Sequence, residues 1–182
     1  MTLLILSVGV WSVFHWLKRL APDLREKVGR GFVNLGIIAS LIGMIIGYRQ
    51  APYIEVYSPL PKIGYVNNVL MIAAFYLMGV GGARAEMSRI LRHPMLWGGA
   101  IWATAHLLVN GDLASTILFG GILTWALVSQ LLINQTEGDW QRPETRGWGL
   151  DVSVFFTALI LTALIGMIHA WFGHNPFLGT YG

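Results

Sequence analysis

Long apolar runs alternate with short polar connections along this chain, and six runs stand out: residues 2–17, 32–48, 66–83, 95–110, 113–134 and 151–172. Each is near the roughly 20 residues a helix needs to cross about 30 Å of hydrocarbon. The first run has no positive residues ahead of it and no small-residue cleavage pattern, and its charges, Lys18 and Arg19, come after it. It is therefore expected to stay as a membrane helix and not to be removed as a signal peptide. The expected fold is all-α, a polytopic transmembrane helical bundle of about six helices forming one domain over residues 1–182.

Positive charge orients the bundle. Lys18, Arg19, Arg25, Lys27 and Arg30 follow the first run, Arg84, Arg89 and Arg92 the third, and Arg142 and Arg146 the fifth, leaving only Arg49 and Lys62 between the second and third. The positive-inside rule then runs the odd-numbered helices inward and puts both termini on the periplasmic or exterior side. Glycines at Gly43 and Gly47, at Gly79, Gly81 and Gly82, and in the pairs Gly98-Gly99 and Gly120-Gly121 predict close helix contacts. The segment Pro52–Pro61 reads as an outer loop lying on the membrane surface. Trp140 and Trp148, in the connection 137–148, suit an aromatic belt on the inner face.

Composition narrows the chemistry. The chain is 55% hydrophobic and 12% charged, about half the charge of a soluble domain, and its mean hydropathy is +0.61. The pI of about 9.5 comes from basic residues in the connections and not from a surface stripe, so no nucleic-acid partner is expected; the lipid bilayer is. The absence of cysteine excludes disulfides, zinc–thiolate sites, iron–sulfur clusters and covalently attached haem. No phosphate-binding glycine loop, nucleophile elbow or H-E-x-x-H motif is present. Acidic residues cluster in the connections, which argues against a proton-coupled pump.

Histidine is what remains. His15, His106 and His169 fall inside apolar runs, where ionisable groups usually face the bundle interior and are candidates for function. His93 precedes Pro94 at the start of the fourth run and reads as an interface residue; His174 lies in the tail. His93 and His106 are 13 residues apart, about 20 Å along a helix, so they cannot flank one cofactor. A second helix must contribute. Counted from the inner face, His106 lies at about 18 Å, His15 at about 10–15 Å and His169 at about 27 Å. Two readings stand: hydrogen bonds between helices, worth about 0.6–2 kcal/mol each, or ligation of a metal or haem. Asn110, one turn after His106, is positioned to hold its ring. Equally, Asn110-Gly111-Asp112 reads as a helix stop and restart, with Asp112 capping the next helix.

Three segments carry a resemblance over nearly the whole chain: Phe14-His15-x-x-Lys18-Arg19, Arg92-His93-Pro94-Met95-Leu96-Trp97-Gly98, and Trp102-Ala103-x-Ala105-His106-Leu107-Leu108-Val109-Asn110-Gly111-Asp112. With these the chain resembles the NnrU family of bacterial membrane proteins, which also includes 15-cis-zeta-carotene isomerase. The resemblance implies non-covalently bound haem b with His15 and His106 as axial ligands, His169 being the alternative second ligand. Arg19 and Arg92 would lie at the inner interface, either pairing with haem propionates or serving topology alone. Trp102 and Trp11, one turn before the two histidines, either wall a pocket or simply pack.

The function this implies is a haem b membrane protein associated with denitrification and nitric-oxide metabolism. An alternative is an enzyme, a haem-dependent cis–trans isomerase of a carotenoid-like polyene. A third is a haem-free membrane assembly or transport factor. Fold and cofactor transfer better across such a resemblance than reaction does.

Overall fold

The computed structural model describes residues 1–179, and among them the chain is helical, without strands. The helices are α1 (Thr2–Leu20), α2 (Pro22–Arg49), α3 (Ile63–Ala83), the single turn α4 (Met87–Ile90), α5 (Pro94–Val109), α6 (Leu113–Glu137) and α7 (Trp148–Trp171), followed by a 3-10 turn at Pro176–Leu178. Five of them are long and apolar enough to cross a membrane; α5, with 16 residues, is shorter. The six expected runs thus become α1, α2, α3, α5, α6 and α7. The main departure is α2, which starts ten residues before its apolar run. Gly29, at φ 77° and ψ 164°, breaks it, so an exposed helical segment at Pro22–Val28 precedes the apolar part. Proline at the first position suits that start, because its missing N–H needs no partner there.

The packing order differs from the chain order: α2 lies on α1, α1 on α6, α6 on α5, α5 on α3 and α3 on α7. Glycines set the closest approaches. A Cβ on Gly98 of α5 would stand 2.7 Å from the Ala74 carbonyl oxygen and 2.9 Å from the Met78 nitrogen of α3. One on Gly47 of α2 would stand 2.6 Å from the Leu4 nitrogen of α1. Val8 fills the space over Gly121 in the same way, joining α1 to α6. Leu4, Val8, Met44 and Ala114 form the buried apolar cluster where α1, α2 and α6 meet, while Leu35, Val69, Phe156 and Ile160 are exposed outward, as lipid-facing positions should be.

One end of the bundle gathers Arg19, Arg92 and Glu137; it is called here the Arg92 end, and the opposite one the Gly111 end. At the Gly111 end residues 54–59 of the Pro52–Pro61 segment, expected as a surface loop, fold down on the turn between α5 and α6. The Val56 and Tyr57 amides donate to the Gly111 carbonyl at 2.8 and 3.0 Å, and the Leu113 amide donates to the Ile54 carbonyl at 2.8 Å. The Tyr57 hydroxyl donates to the Asn110 carbonyl at 2.9 Å and contacts that of Leu107. Its pKa is raised, first by burial and then by the Asp112 carboxylate. Asp112 caps α6, accepting from the Ser115 amide at 3.0 Å and from the Ser115 hydroxyl at 2.5 Å. Gly111 is required because any Cβ there would overlap the Tyr57 carbonyl oxygen.

At the Arg92 end, a buried carboxylate does similar work. Asp151, 5% exposed in the first turn of α7, accepts from the Tyr76 hydroxyl of α3 at 2.9 Å and from the Glu86 and Met87 amides at 2.7 and 3.1 Å. It ties α7 to α3 and supplies acceptors to the free N–H groups at the start of α4. Asp151→Ala leaves these buried donors unpaired and should cost roughly 2–4 kcal/mol, read as a lower unfolding midpoint in detergent. Gly111→Ala should cost roughly 1–3 kcal/mol by overlap with Tyr57, whereas Gly120→Ala, where a Cβ meets nothing within 4 Å, should be neutral or slightly stabilising.

Candidate cofactor site

Three intrahelical histidines share one local geometry. Nδ1 lies 2.8 Å from the Trp11 carbonyl in His15, 2.9 Å from the Trp102 carbonyl in His106 and 2.8 Å from the Ile165 carbonyl in His169, always four residues back. A carbonyl only accepts, so Nδ1 carries a proton, and in the neutral ring Nε2 keeps its lone pair. That is the state in which imidazole ligates a metal, with its ring oriented by the other nitrogen. At His15 and His106 the residue four back is tryptophan, and its indole packs on the imidazole with centroids 4.2 and 4.6 Å apart.

His106 opens into a cavity of about 410 Å³ bounded by α3, α5, α6 and α7. Phe119 of α6 stacks on its ring, centroids 4.5 Å apart and planes at 27°, and Trp102 meets the edge of Phe119. Met71, Phe75, Leu118 and Ile165 continue an apolar wall, and polar groups gather toward the Gly111 end, where Asn67, Asn68, Asn110, His169 and His174 line the cavity. Residues 172–179 fold back over the mouth as a strap. The Asn68 amide donates to the Pro176 carbonyl at 2.9 Å, the His174 amide donates to the His169 carbonyl at 2.9 Å, and Phe177 lies over Gly166, where a Cβ would be 2.5 Å from its ring.

Trp102, His106, Asn110 and His169 therefore share one cavity. Asn110 does not hold the His106 ring, contrary to expectation: its amide donates to the His106 backbone carbonyl at 2.9 Å, satisfying an acceptor freed where the helix ends, and the ring is held by the Trp102 carbonyl instead.

His15 lies elsewhere, between Trp11 and Trp125 of α6, whose ring centroid is 5.0 Å away. A Cβ on Gly99 of α5 would lie 4.0 Å from that same indole, so Trp125 stands between His15 and α5. Val8 packs on Gly121 and the Trp16 indole donates to Ser129 at 2.9 Å, which sets His15 level with about residue 128 of α6. His106 is level with Phe119, so the two histidines are about 13 Å apart along the bundle axis. The buried indole nitrogens of Trp11 and Trp125 have no hydrogen-bond partner among the described residues; a water or a ligand acceptor beside His15 would satisfy them.

Arg19 and Arg92 line a polar recess at the Arg92 end, together with His93, Glu137 and Trp140. Arg19 pairs with Glu137 at 2.5 Å, and Nε2 of His93 is 2.8 Å from the Asn134 side-chain oxygen. His106 is twelve residues beyond Pro94, about 18 Å from this recess along α5. Sequence reasoning passed over Asn67, Asn68, Phe119 and Phe177. The adjacent asparagines inside an apolar run were the available signal, since polar residues in membrane helices usually face the interior; nothing local marks the two phenylalanines.

Apolar spans packed through glycine contacts around a histidine-bearing cavity define a multi-pass α-helical membrane protein. The sequence model of the NnrU protein family matches residues 3–176, and the chain belongs to that family. No curated protein and no solved structure matches it.

The strap makes a test of the cavity mouth possible, because the chain has no native cysteine. Pro176 is buried, so a cysteine placed there should react slowly with a thiol reagent in detergent. Adding Gly166→Leu, which displaces Phe177, should speed labelling at least severalfold.

Proposed function

We propose that this protein is a haem b protein of the bacterial inner membrane acting in nitrogen-oxide metabolism, with His106 as an iron ligand. The observation that carries the reading is the state of His106: its Nδ1–H is committed to the Trp102 carbonyl, its Nε2 is left with a lone pair, and it borders a cavity with an apolar wall. These residues fit haem b. Trp102 and Phe119 hold the imidazole in place from either side, and Met71, Phe75, Leu118 and Ile165 would cover the apolar macrocycle and exclude water. Haem, when bound, supplies an iron that changes valence by one electron and takes diatomic ligands such as nitric oxide. The nitrogen-oxide role rests on the association of the family with denitrification.

The second ligand is proposed as His15, on the resemblance and on the two unpaired indole donors beside it. Trp125 would then have to withdraw from between α1 and α5, and the offset of about 13 Å along the bundle axis would have to close. A second reading, cis–trans isomerisation of a carotenoid-like polyene on the same haem, is favoured by the apolar wall, which suits a hydrocarbon substrate.

Purified in mild detergent from haem-replete cells, the protein should show a sharp Soret band and split visible bands on reduction. His106→Ala should abolish them, and His15→Ala should turn a six-coordinate spectrum into a five-coordinate one. A colourless wild-type protein overturns the proposal. Conversion of a cis polyene by the reduced wild-type protein, but not by His106→Ala, would select the isomerase reading.

A further inference from the structure

We infer that the mouth of the His106 cavity at the Gly111 end is a carboxylate-binding site, with the imidazoles of His169 and His174 as its partners. Under the haem reading above, on which this rests, the haem propionates point to that mouth and not to Arg19 and Arg92.

The first support is axial position. Gly98 of α5 packs on Met78 of α3, and the neighbouring Gly79 of α3 packs on Val154 of α7, so residues 98 and 154 are level. His106 is eight residues beyond that layer and His169 fifteen, which places His169 roughly 10 Å closer to the Gly111 end. An imidazole so displaced is poorly placed to face His106 across one iron, and well placed to reach a substituent at the edge of a ring ligated by His106.

The second support is charge. Among the described residues no lysine, arginine or carboxylate lines the cavity, and the titratable groups that face His169 there are His106 and His174, together with the Tyr48 phenol, which is hydrogen-bonded to Ser115 at 2.8 Å. Among the described residues, the basic side chains that a ligand bearing carboxylates meets here are the imidazoles. Nδ1 of His169 is committed to the Ile165 carbonyl, so Nε2 is the ring atom left to share a proton with a carboxyl group of the ligand. The carbonyl ends of α5 and α7 are at this mouth, and helix C-termini favour cationic side chains. Arg19, by contrast, is already paired with Glu137, and its recess is about 18 Å from His106 along α5.

The experiment compares haem b with its dimethyl ester, which lacks the carboxylates, by titrating each into protein made under haem depletion. Wild type should bind haem b more tightly than the ester. His169→Ala should bind haem b roughly tenfold more weakly and the ester unchanged, so that a general loss of fold is distinguished from loss of one partner. His169→Arg should restore haem b binding with the wild-type spectrum, since guanidinium pairs with carboxylate. Arg19→Ala and Arg92→Ala should leave both affinities unchanged. The inference is overturned, with the haem reading intact, if His169→Arg loses the six-coordinate spectrum, which would make His169 an iron ligand. It is equally overturned if Arg92→Ala weakens haem b but not the ester. Wild type that binds neither compound removes the haem reading and this inference with it.

Discussion

A helix of sixteen residues, such as α5, is about 24 Å long, short of the about 30 Å of a bilayer's hydrocarbon. Much of the architecture around α5 answers that shortfall. The turn at Asn110–Asp112 is irregular backbone with Gly111 buried, and in a membrane protein such backbone survives only where protein supplies the missing hydrogen bonds. Residues 54–57 supply them, taking both uses of the Gly111 carbonyl and satisfying the Leu113 amide. Because α5 stops early, room is left beyond His106 between α3 and α7, and the strap at 172–179 roofs it. Site and fold thus have one origin in a helix that is too short.

The same constraint explains the polar groups inside the apolar shell. Asp112 meets the start of α6, Asp151 meets the start of α4 and the Tyr76 hydroxyl, and Asn110 meets a carbonyl of its own helix. None is a free charge in lipid. Each satisfies backbone or hydroxyl groups that would otherwise be unpaired, which costs more in a medium without water. The histidines follow the rule by half: one nitrogen of each is tied to the helix and the other is left over. At His106 the leftover nitrogen borders a cavity, and at His15 it sits among indoles with unpaired N–H groups.

How much of this could be read from the chain depended on whether the cause was local. Hydropathy located the spans because lipid exposure is written residue by residue, and the boundaries at Pro94, Asp112 and Gly111 follow from proline, cap and glycine chemistry. The helical break at Gly29 left no comparable mark, since the residues before it are polar enough to read as loop. His106, Trp102 and Asn110 were legible as neighbours because one helix carries them. Their company was not: Phe119 and Phe177 reach the site from 13 and 71 residues away in sequence, through helix contacts fixed by Gly98, Gly79 and Gly166. The distance of His15 from His106 was equally hidden: counting from the helix ends put them within a few ångströms of one depth, whereas the contacts of Val8 and Trp16 with α6 set them about 13 Å apart along the bundle.

The roof of the cavity also has a consequence for how the protein is made. Membrane helices enter the bilayer in the order of synthesis, and once α6 is in place the His106 imidazole has walls on α3, α5 and α6 but is open sideways to lipid. Closure waits for α7 and for Phe177 to settle on Gly166. There is thus an interval in biogenesis when a large flat molecule can slide in from the bilayer without any folded part having to open. After it, entry requires the strap to lift. Entry into this cavity during assembly and entry afterwards are therefore separate processes with separate barriers.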